Sequence, residues 1–493
     1  MKLDFHKVNA IIIGLGTIIL AFILYPRFMG DDTFIHIGFI KDLASGKGFS
    51  FAGTKTYGTT SPLWIILGSI GTNLYNSPEA VVRMLSAVFT YTTVYLFYIV
   101  LTKSNLDKIL IYIGIVSLCL NSFFLRWALS GMEITAAMTA LLFIFYIFIQ
   151  SKNKYRFISG GIVLGLAMLL RPEVIGFFLI FIIYCFFAFN NERKNLIISI
   201  VIAVIILSGW LLFTYFYFGT VVPNSYIYKA GESITNFKFE AAMRTLKLLV
   251  AGNLPEFIIV FVLLVLSVFN VFRSTKSTSQ KQSFSTFIKK SNIILPILWI
   301  AGFYGYYLLK DVVVLSRYSL ILVPFIILIV ISLVNNSSLL KNKRIHSIFI
   351  IVYFCSILLG YGIMTFKVVK PASDDFVKGF QTTYREIAEI VRRDSGERKT
   401  SIALTDVGII GCYSGAKIYD FAGLVDASRF NYKTSYDYLI AKKPGYLILR
   451  EEYSEANILP TGVSKKILFQ RHLQGLGINH AEPRTVTLYK LKW

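Results

Sequence analysis

Long stretches without a charged residue, separated by short polar breaks, make up most of this chain. They cover residues 8–26, 84–102, 109–125, 134–151, 174–191, 195–228, 257–272, 291–309, 318–340 and 345–366. Each is on the scale of the roughly 20 apolar residues a helix needs to cross the hydrocarbon core of a bilayer. A shorter stretch, 157–170, lies between Arg156 and Arg171 and is expected to cross with Arg171 at the interface or inside the bundle. That predicts about 11 transmembrane helices. Residues 62–75, PLWIILGSIGTNLY, are too few to count and read as a re-entrant or interfacial segment. The first stretch has no small-residue cleavage site after it and reads as a retained helix.

The pattern changes after residue 366. Residues 367–493 carry 20 Lys and Arg and 14 acids, and alternate strand-like runs (TSIALTD, AKIYDFAG, PGYLILR) with helix-like ones (TTYREIAEIVRR, SYDYLIAKK). This predicts a soluble α/β domain over 367–493 that follows a membrane domain over 1–366. With the N-terminus in the cytoplasm, the inner loops 1–7, 103–108, 152–156, 192–194, 273–290 and 341–344 hold 17 Lys and Arg against three acids. The excess of positive charge on the inner side sets this orientation. An odd number of crossings then puts the C-terminal domain outside the cytoplasm, in a multi-pass protein of the cytoplasmic membrane.

Composition agrees: 55% of the 493 residues are hydrophobic and 16% are charged, against about 25% charged in soluble domains. The net charge of +23 has its home in the loops, with no basic cluster on a soluble helix, so nucleic acid is not an expected partner. Four dispersed cysteines, Cys119, Cys185, Cys355 and Cys412, give neither a disulfide framework nor metal spacing. There is no P-loop, no G-x-G-x-x-G after a strand, no H-E-x-x-H and no G-x-S-x-G.

The candidate chemistry lies on the outer side. Asp31 and Asp32 follow the first crossing. On a helix, neighbours point about 100° apart, so one acid can serve as general base while the other orients a partner; both could instead be an acidic first turn. Next comes GTKTYGTTSPLW, Gly53 to Trp64, with Lys55, Tyr57 and Thr60 as candidate ligands. The segments RWALSGME (Arg126, Glu133), LLRPE (Arg171, Glu173), VVPNSYIYKAGE (Asn224, Lys229) and SRYSLILVPF (Arg317) fall on the same side, as do Lys310 and Asp311. Charges at membrane depth are costly and mark sites or paired interiors; arginine suits phosphate through its planar fork. His36 is a lone histidine near the acids.

The order DDTFI, DLASGKGF, YGTTSPLW, then SGME, RPE, PNSYIYK and RY, resembles the GT-C class of integral-membrane glycosyltransferases, in particular bacterial relatives of the mycobacterial terminal arabinofuranosyltransferases. DVGIIGCYSG and DFAGLVD, in the outer domain, resemble that group too. Thr33 stands where alanine is expected, and a Gly-Phe where an Arg-Tyr pair is expected. The resemblance implies a GT-C-like membrane domain with a catalytic first outer loop, 27–61. It also implies an inverting transferase that moves a sugar from a polyprenyl-phosphate donor to a hydroxyl of an extracytoplasmic glycan, lipid or protein. Asp31 would be the base and Asp32 its support. Lys55, Arg171, Lys229 or Arg317 would meet the donor phosphate, with Tyr57, Thr60, Arg126, Glu133 and Asn224 completing the site. With those cations present, no metal is expected to be obligatory, while the resemblance leaves open a divalent ion at the acidic pair, which some GT-C members use. The alternative is a transporter or flippase for lipid-linked sugars, but no inverted repeats are visible.

Overall fold

The computed structural model describes residues 5–151, 153, 155–188, 192–230, 239–273, 293–309, 316–337, 340, 342–396, 398–450, 458–473 and 484–493. Within them, each of the eleven apolar runs falls on a helix. Four helices are long and apolar enough to cross a membrane: Pro78–Thr102, Arg193–Phe218, Ser316–Asn336 and Lys343–Ser395. The pair Ala242–Gly252 and Leu254–Leu266, bent by 93°, makes a fifth if it is one span. The other apolar helices are shorter, 10–17 residues: Val8–Leu24, Lys108–Leu120, Ile134–Gln150, Arg156–Met168, Glu173–Ala188 and Ile294–Leu308. The charged loop 273–290, along with Lys310 and Asp311, falls at or beyond the edge of the described residues.

Polar residues set where these helices break. The helix Lys108–Leu120 stops at Asn121, whose side chain accepts from the N–H groups of Phe123 and Phe124 at 3.2 and 3.0 Å and so starts the next helix, Ser122–Trp127. The same amide donates to the Gly252 carbonyl at 2.7 Å. Backbone groups freed at a helix break in an apolar medium need such partners.

Two short helices form an outer layer: α1, Asp31–Ala44, and α2, Pro62–Tyr75, with the hairpin β1 (Ser50–Phe51) and β2 (Thr54–Lys55) between them. Helix α1 is buried on nearly every side, from Thr33 to Ile40. The segment 62–75 packs its Gly68 against Ile40. It is thus a 14-residue helix laid against α1.

The last crossing helix continues from Lys343 to Ser395 without a break, so the change in composition after residue 366 falls inside a helix. Its final stretch buries Tyr384, Ile387, Ala388 and Val391, the i, i+3, i+4, i+7 stripe of an amphipathic helix. That stripe belongs to the core of a five-stranded sheet of order β4-β3-β5-β7-β6. Strands β3 (Ser401–Leu404), β4 (Lys417–Asp420) and β5 (Tyr446–Arg450) run parallel. Strand β7 (Arg484–Lys492) lies antiparallel between β5 and β6 (Ser464–Leu473). All five residues of β5 are buried, as expected of a parallel strand covered on both faces.

This C-terminal unit sits directly on the outer layer. Arg385 donates to both oxygens of Glu79 at 3.0 and 2.9 Å, and Tyr413 donates to the same carboxylate. Lys41 donates to the Cys412 carbonyl at 2.7 Å, and the Cys412 thiol donates to the Phe34 carbonyl at 2.9 Å. Phe51 is wedged between Gly38 of α1 and Gly411; a Cβ at either would come within 2.3 Å of its ring. Only glycine lets the hairpin, α1 and the C-terminal unit meet there.

Candidate active site

Helix α1 begins at Asp31, with Gly30 as N-cap and no side chain capping it. The two acids therefore occupy the first turn, where the helix dipole favours negative charge, and their side chains diverge.

Asp32 turns toward the bundle. Its Oδ2 lies 2.6 Å from Nη2 of Arg317; the Asp32 side chain is 41% exposed and that of Arg317 12%. Arg317 Nη2 is also 3.3 Å from the Tyr318 hydroxyl. Behind this pair lies a buried charge cluster. Arg171 donates through Nη1 to Glu133 at 2.7 Å, and through Nε and Nη2 to Glu173 at 3.1 and 2.7 Å. The local sequence produces the fork. Pro172 cannot continue the helix that ends at Met168, and the next helix restarts at Glu173, within reach of Arg171. Glu133 is the N-cap residue of the helix Ile134–Phe145 but caps nothing; its carboxylate points to Arg171 instead. Tyr307 donates to Glu173 at 3.3 Å and its ring stacks on Tyr318. His36 Nδ1 is 3.6 Å from Glu133 Oε2, beyond hydrogen-bond distance. Burial pushes the His36 pKa down, against the pull of Glu133.

Asp31 turns the other way, toward the C-terminal unit. Its Oδ1 is buried and has no hydrogen-bond partner. A Cβ on Gly408 would lie 2.6 Å from that oxygen and 2.5 Å from the Asp31 carbonyl. Burial pushes its carboxyl well above the usual carboxylate range, with Asp406 and Asp32 adding to the rise and Arg450 and Arg317 opposing it.

The remaining predicted residues form a second group. Asn224 donates to Thr56 Oγ1 at 3.0 Å and to the Leu424 carbonyl at 3.2 Å, and its N–H bonds the Tyr57 carbonyl at 2.9 Å. The Tyr57 hydroxyl accepts from Trp210 at 3.1 Å and its ring stacks on Phe218. Lys55 is exposed, its Nζ 4.1 Å from the centroid of the Tyr217 ring. Thr60 is half-buried in the turn before α2. Arg126 is buried over Phe28, 4.4 Å from the ring centroid, with Nε unpartnered. The Lys229 side chain lies outside the described residues.

With this geometry in view, known proteins were compared. A family model described as a domain of unknown function (DUF8728) matches residues 376–489. No curated protein matches the chain by sequence. Among solved structures, ArnT from Cupriavidus metallidurans in the apo state superimposes with a TM-score of 0.63 at 11% identity, over 97% of each chain. The chain has the GT-C fold. The same ArnT bound to undecaprenyl phosphate matches with a TM-score of 0.61 over 97% of each chain, again at 11% identity. An oligosaccharyltransferase from Archaeoglobus fulgidus, tethered with an acceptor peptide containing the NVT sequon, gives 0.53 at 14% identity, over 92% of this chain and 70% of that one.

Within this GT-C fold, the acidic pair and the charged residues of three separate helix junctions meet on one side of the bundle. Sequence reasoning named most of them. It missed Asp406, Arg450 and Tyr384, which the C-terminal unit brings to Asp31. Their only signal was the segment DVGIIGCYSG, which begins with Asp406. Arg171 was expected among the ligands of a donor phosphate; its hydrogen bonds go to two buried carboxylates. Arg317 and Arg126 are the cations of this region whose geometry leaves donors for a ligand. No group of three or more His, Cys, Asp or Glu side chains that could hold a metal ion occurs among the described residues.

Proposed function

We propose that the protein is an inverting glycosyltransferase that moves a sugar from a polyprenyl-phosphate donor to a hydroxyl of an extracytoplasmic glycan, lipid or protein. One observation carries the reading. The first outer helix splits two adjacent acids, one held by an arginine and one buried without a hydrogen-bond partner at Oδ1, within a fold shared with ArnT, which binds undecaprenyl phosphate. The chain would cross the cytoplasmic membrane eleven times, with the N-terminus inside. The loop 27–61 and the unit 367–493 would lie outside.

The two acids have different jobs. Asp32 is paired with Arg317 and orients that guanidinium toward the donor phosphate. Asp31, whose carboxyl burial and the neighbouring acids raise above the usual carboxylate range, is the better placed of the two to take a proton. The acceptor hydroxyl loses its proton to Asp31 as its oxygen bonds to the anomeric carbon. The bond from that carbon to the phosphate oxygen breaks, and polyprenyl phosphate leaves. Arg317 and Arg126, with Lys55 at the surface and Lys229, would offset its negative charge. Tyr57, Thr60 and Asn224 would line the sugar. Cationic side chains can do the work of a divalent ion on a single phosphate, so no metal need be obligatory.

The test is transfer by the reconstituted protein from a panel of polyprenyl-phosphate sugars. Asp31→Asn should lower kcat about 10²–10⁴-fold, the contribution of a general base, with the protein still folded. Full activity in Asp31→Asn sinks the assignment. Movement of lipid-linked sugar across the membrane with no product formed favours a flippase instead.

A further inference from the structure

Where the helix Asn224–Ala230 meets the C-terminal unit lies a cavity of about 220 Å³ lined in part by Tyr228, Tyr384, Asp406, Phe421, Arg429 and Arg450. We propose that this cavity is a carbohydrate-binding subsite that presents an acceptor hydroxyl to Asp31. The proposal rests on the transferase reading and adds where the acceptor binds and what class it belongs to.

Three observations carry it. The first is the conduct of Asp406. It is the N-cap residue of the helix Val407–Tyr413, yet its side chain makes no cap hydrogen bond. An aspartate in that position usually accepts from the N–H groups of the first turn. Here its Oδ2 instead accepts from the Tyr384 hydroxyl at 2.8 Å and from Arg450 Nη1 at 2.9 Å, and the carboxylate lines the cavity. Its Oδ1 accepts from no described residue, which leaves a lone-pair face for a ligand hydroxyl.

The second is the state of the arginines. Arg429 donates to the carbonyls of Phe421 and Tyr432 and to the Ser435 hydroxyl. Arg450 is paired with Asp406. Both cations of the cavity thus spend donors within the protein: Arg429 on three acceptors and Arg450 through Nη1 on Asp406. The surfaces offered to a ligand are aromatic faces, Tyr228 and Phe421, beside a carboxylate. That chemistry suits the C–H face and hydroxyls of a sugar ring better than a phosphate. The volume lies just under the ~300–1,000 Å³ of pockets for drug-sized ligands, consistent with one ring.

The third is position. Gly408, two residues after Asp406, is the residue packed against the buried Asp31 oxygen, and Asp406 and Arg450 are among the charges that act on Asp31. The neighbouring acids of α1 would then sort the substrates. The donor phosphate lies on the Asp32 and Arg317 side and the acceptor on the Asp31 and Asp406 side, separated by the ~100° between successive helical residues. Asp406 acts as a positioning residue; it takes no proton.

The experiment is saturation-transfer NMR on the full chain in nanodiscs, with the free monosaccharides glucose, galactose, mannose, arabinose and N-acetylglucosamine as probes. At least one should bind. Tyr228 is about half exposed, so Tyr228→Ala should keep the fold. It should weaken binding about 3- to 10-fold, the share of one aromatic face, and raise the acceptor KM by a similar factor with kcat little changed. Asp406→Asn should weaken binding too, with Asp406→Glu restoring part of it. No binding by any probe overturns the subsite, as does a Tyr228→Ala variant with wild-type affinity and acceptor KM. Binding needs no donor. If sugars bind while no donor is ever transferred, the subsite stands and the transferase reading falls.

Discussion

Replacing Arg171 with glutamine tests the buried charge cluster most directly. The guanidinium is 5% exposed, and its carboxylate partners Glu133 and Glu173 are 4% and 10% exposed. Three hydrogen bonds of 2.7–3.1 Å hold the fork in place. Glutamine is shorter and neutral. It leaves two carboxylates without the guanidinium that bridges them in a poorly solvated interior. Removing one member of a buried ion pair costs about 3–5 kcal/mol. At 1.36 kcal/mol per decade that is roughly a 150- to 5,000-fold fall in the folding constant. Equilibrium unfolding in mixed detergent and SDS micelles would measure it. A companion variant, Arg171→Met with Glu133→Gln and Glu173→Gln, removes all three charges at similar volume, and should lose far less, because no uncompensated charge stays buried. An Arg171→Gln protein within about 1 kcal/mol of wild type would refute the reasoning, and so would a triple variant as damaged as the single one.

Other outcomes follow from the same geometry. Gly408→Val should push on the Asp31 carbonyl and Oδ1, which a Cβ there would approach to 2.5–2.6 Å; transfer should fall at least tenfold, and unchanged kinetics would mean that Asp31 does not lie in the catalytic path. Burial, Asp406 and Asp32 raise the Asp31 pKa. Its stabilising contribution is therefore fully present below the unfolded carboxylate value and is lost as pH rises through the folded value, while transfer, which needs the ionised base, increases over that same range. A pH profile of kcat/KM beside a pH series of unfolding should show the two moving in opposite directions, and Asp31→Asn should flatten the stability trend. Asn224→Ala removes donors to Thr56 and to the Leu424 carbonyl and should cost about 1–3 kcal/mol, as for a buried acceptor left unmade, seen as faster proteolysis of the C-terminal unit; equal protease resistance would count against that tie.

The sequence by itself determined the class of the molecule and the placement of its parts along the chain. Apolar runs specify helices in a bilayer because backbone groups there have no other partner, and each of the eleven runs is mostly helical where described. The strand-like runs around Ser401, Lys417 and Tyr446 are β3, β4 and β5. The polar insertions were legible because charge in an apolar chain needs a reason. Helix lengths were not legible: side chains such as Asn121 end and restart helices by capping, a matter of local geometry that hydropathy averages away. The roles within the acidic pair were equally hidden. Asp31 and Asp32 are adjacent and chemically identical. Only tertiary structure makes them different, because Arg317 arrives at Asp32 from nearly 300 residues away, while Gly408 and Asp406 arrive at Asp31 from still farther along the chain. Neither approach leaves a mark on the sequence near residue 31, because what separates the two acids is the packing of a C-terminal unit onto one face of a short helix.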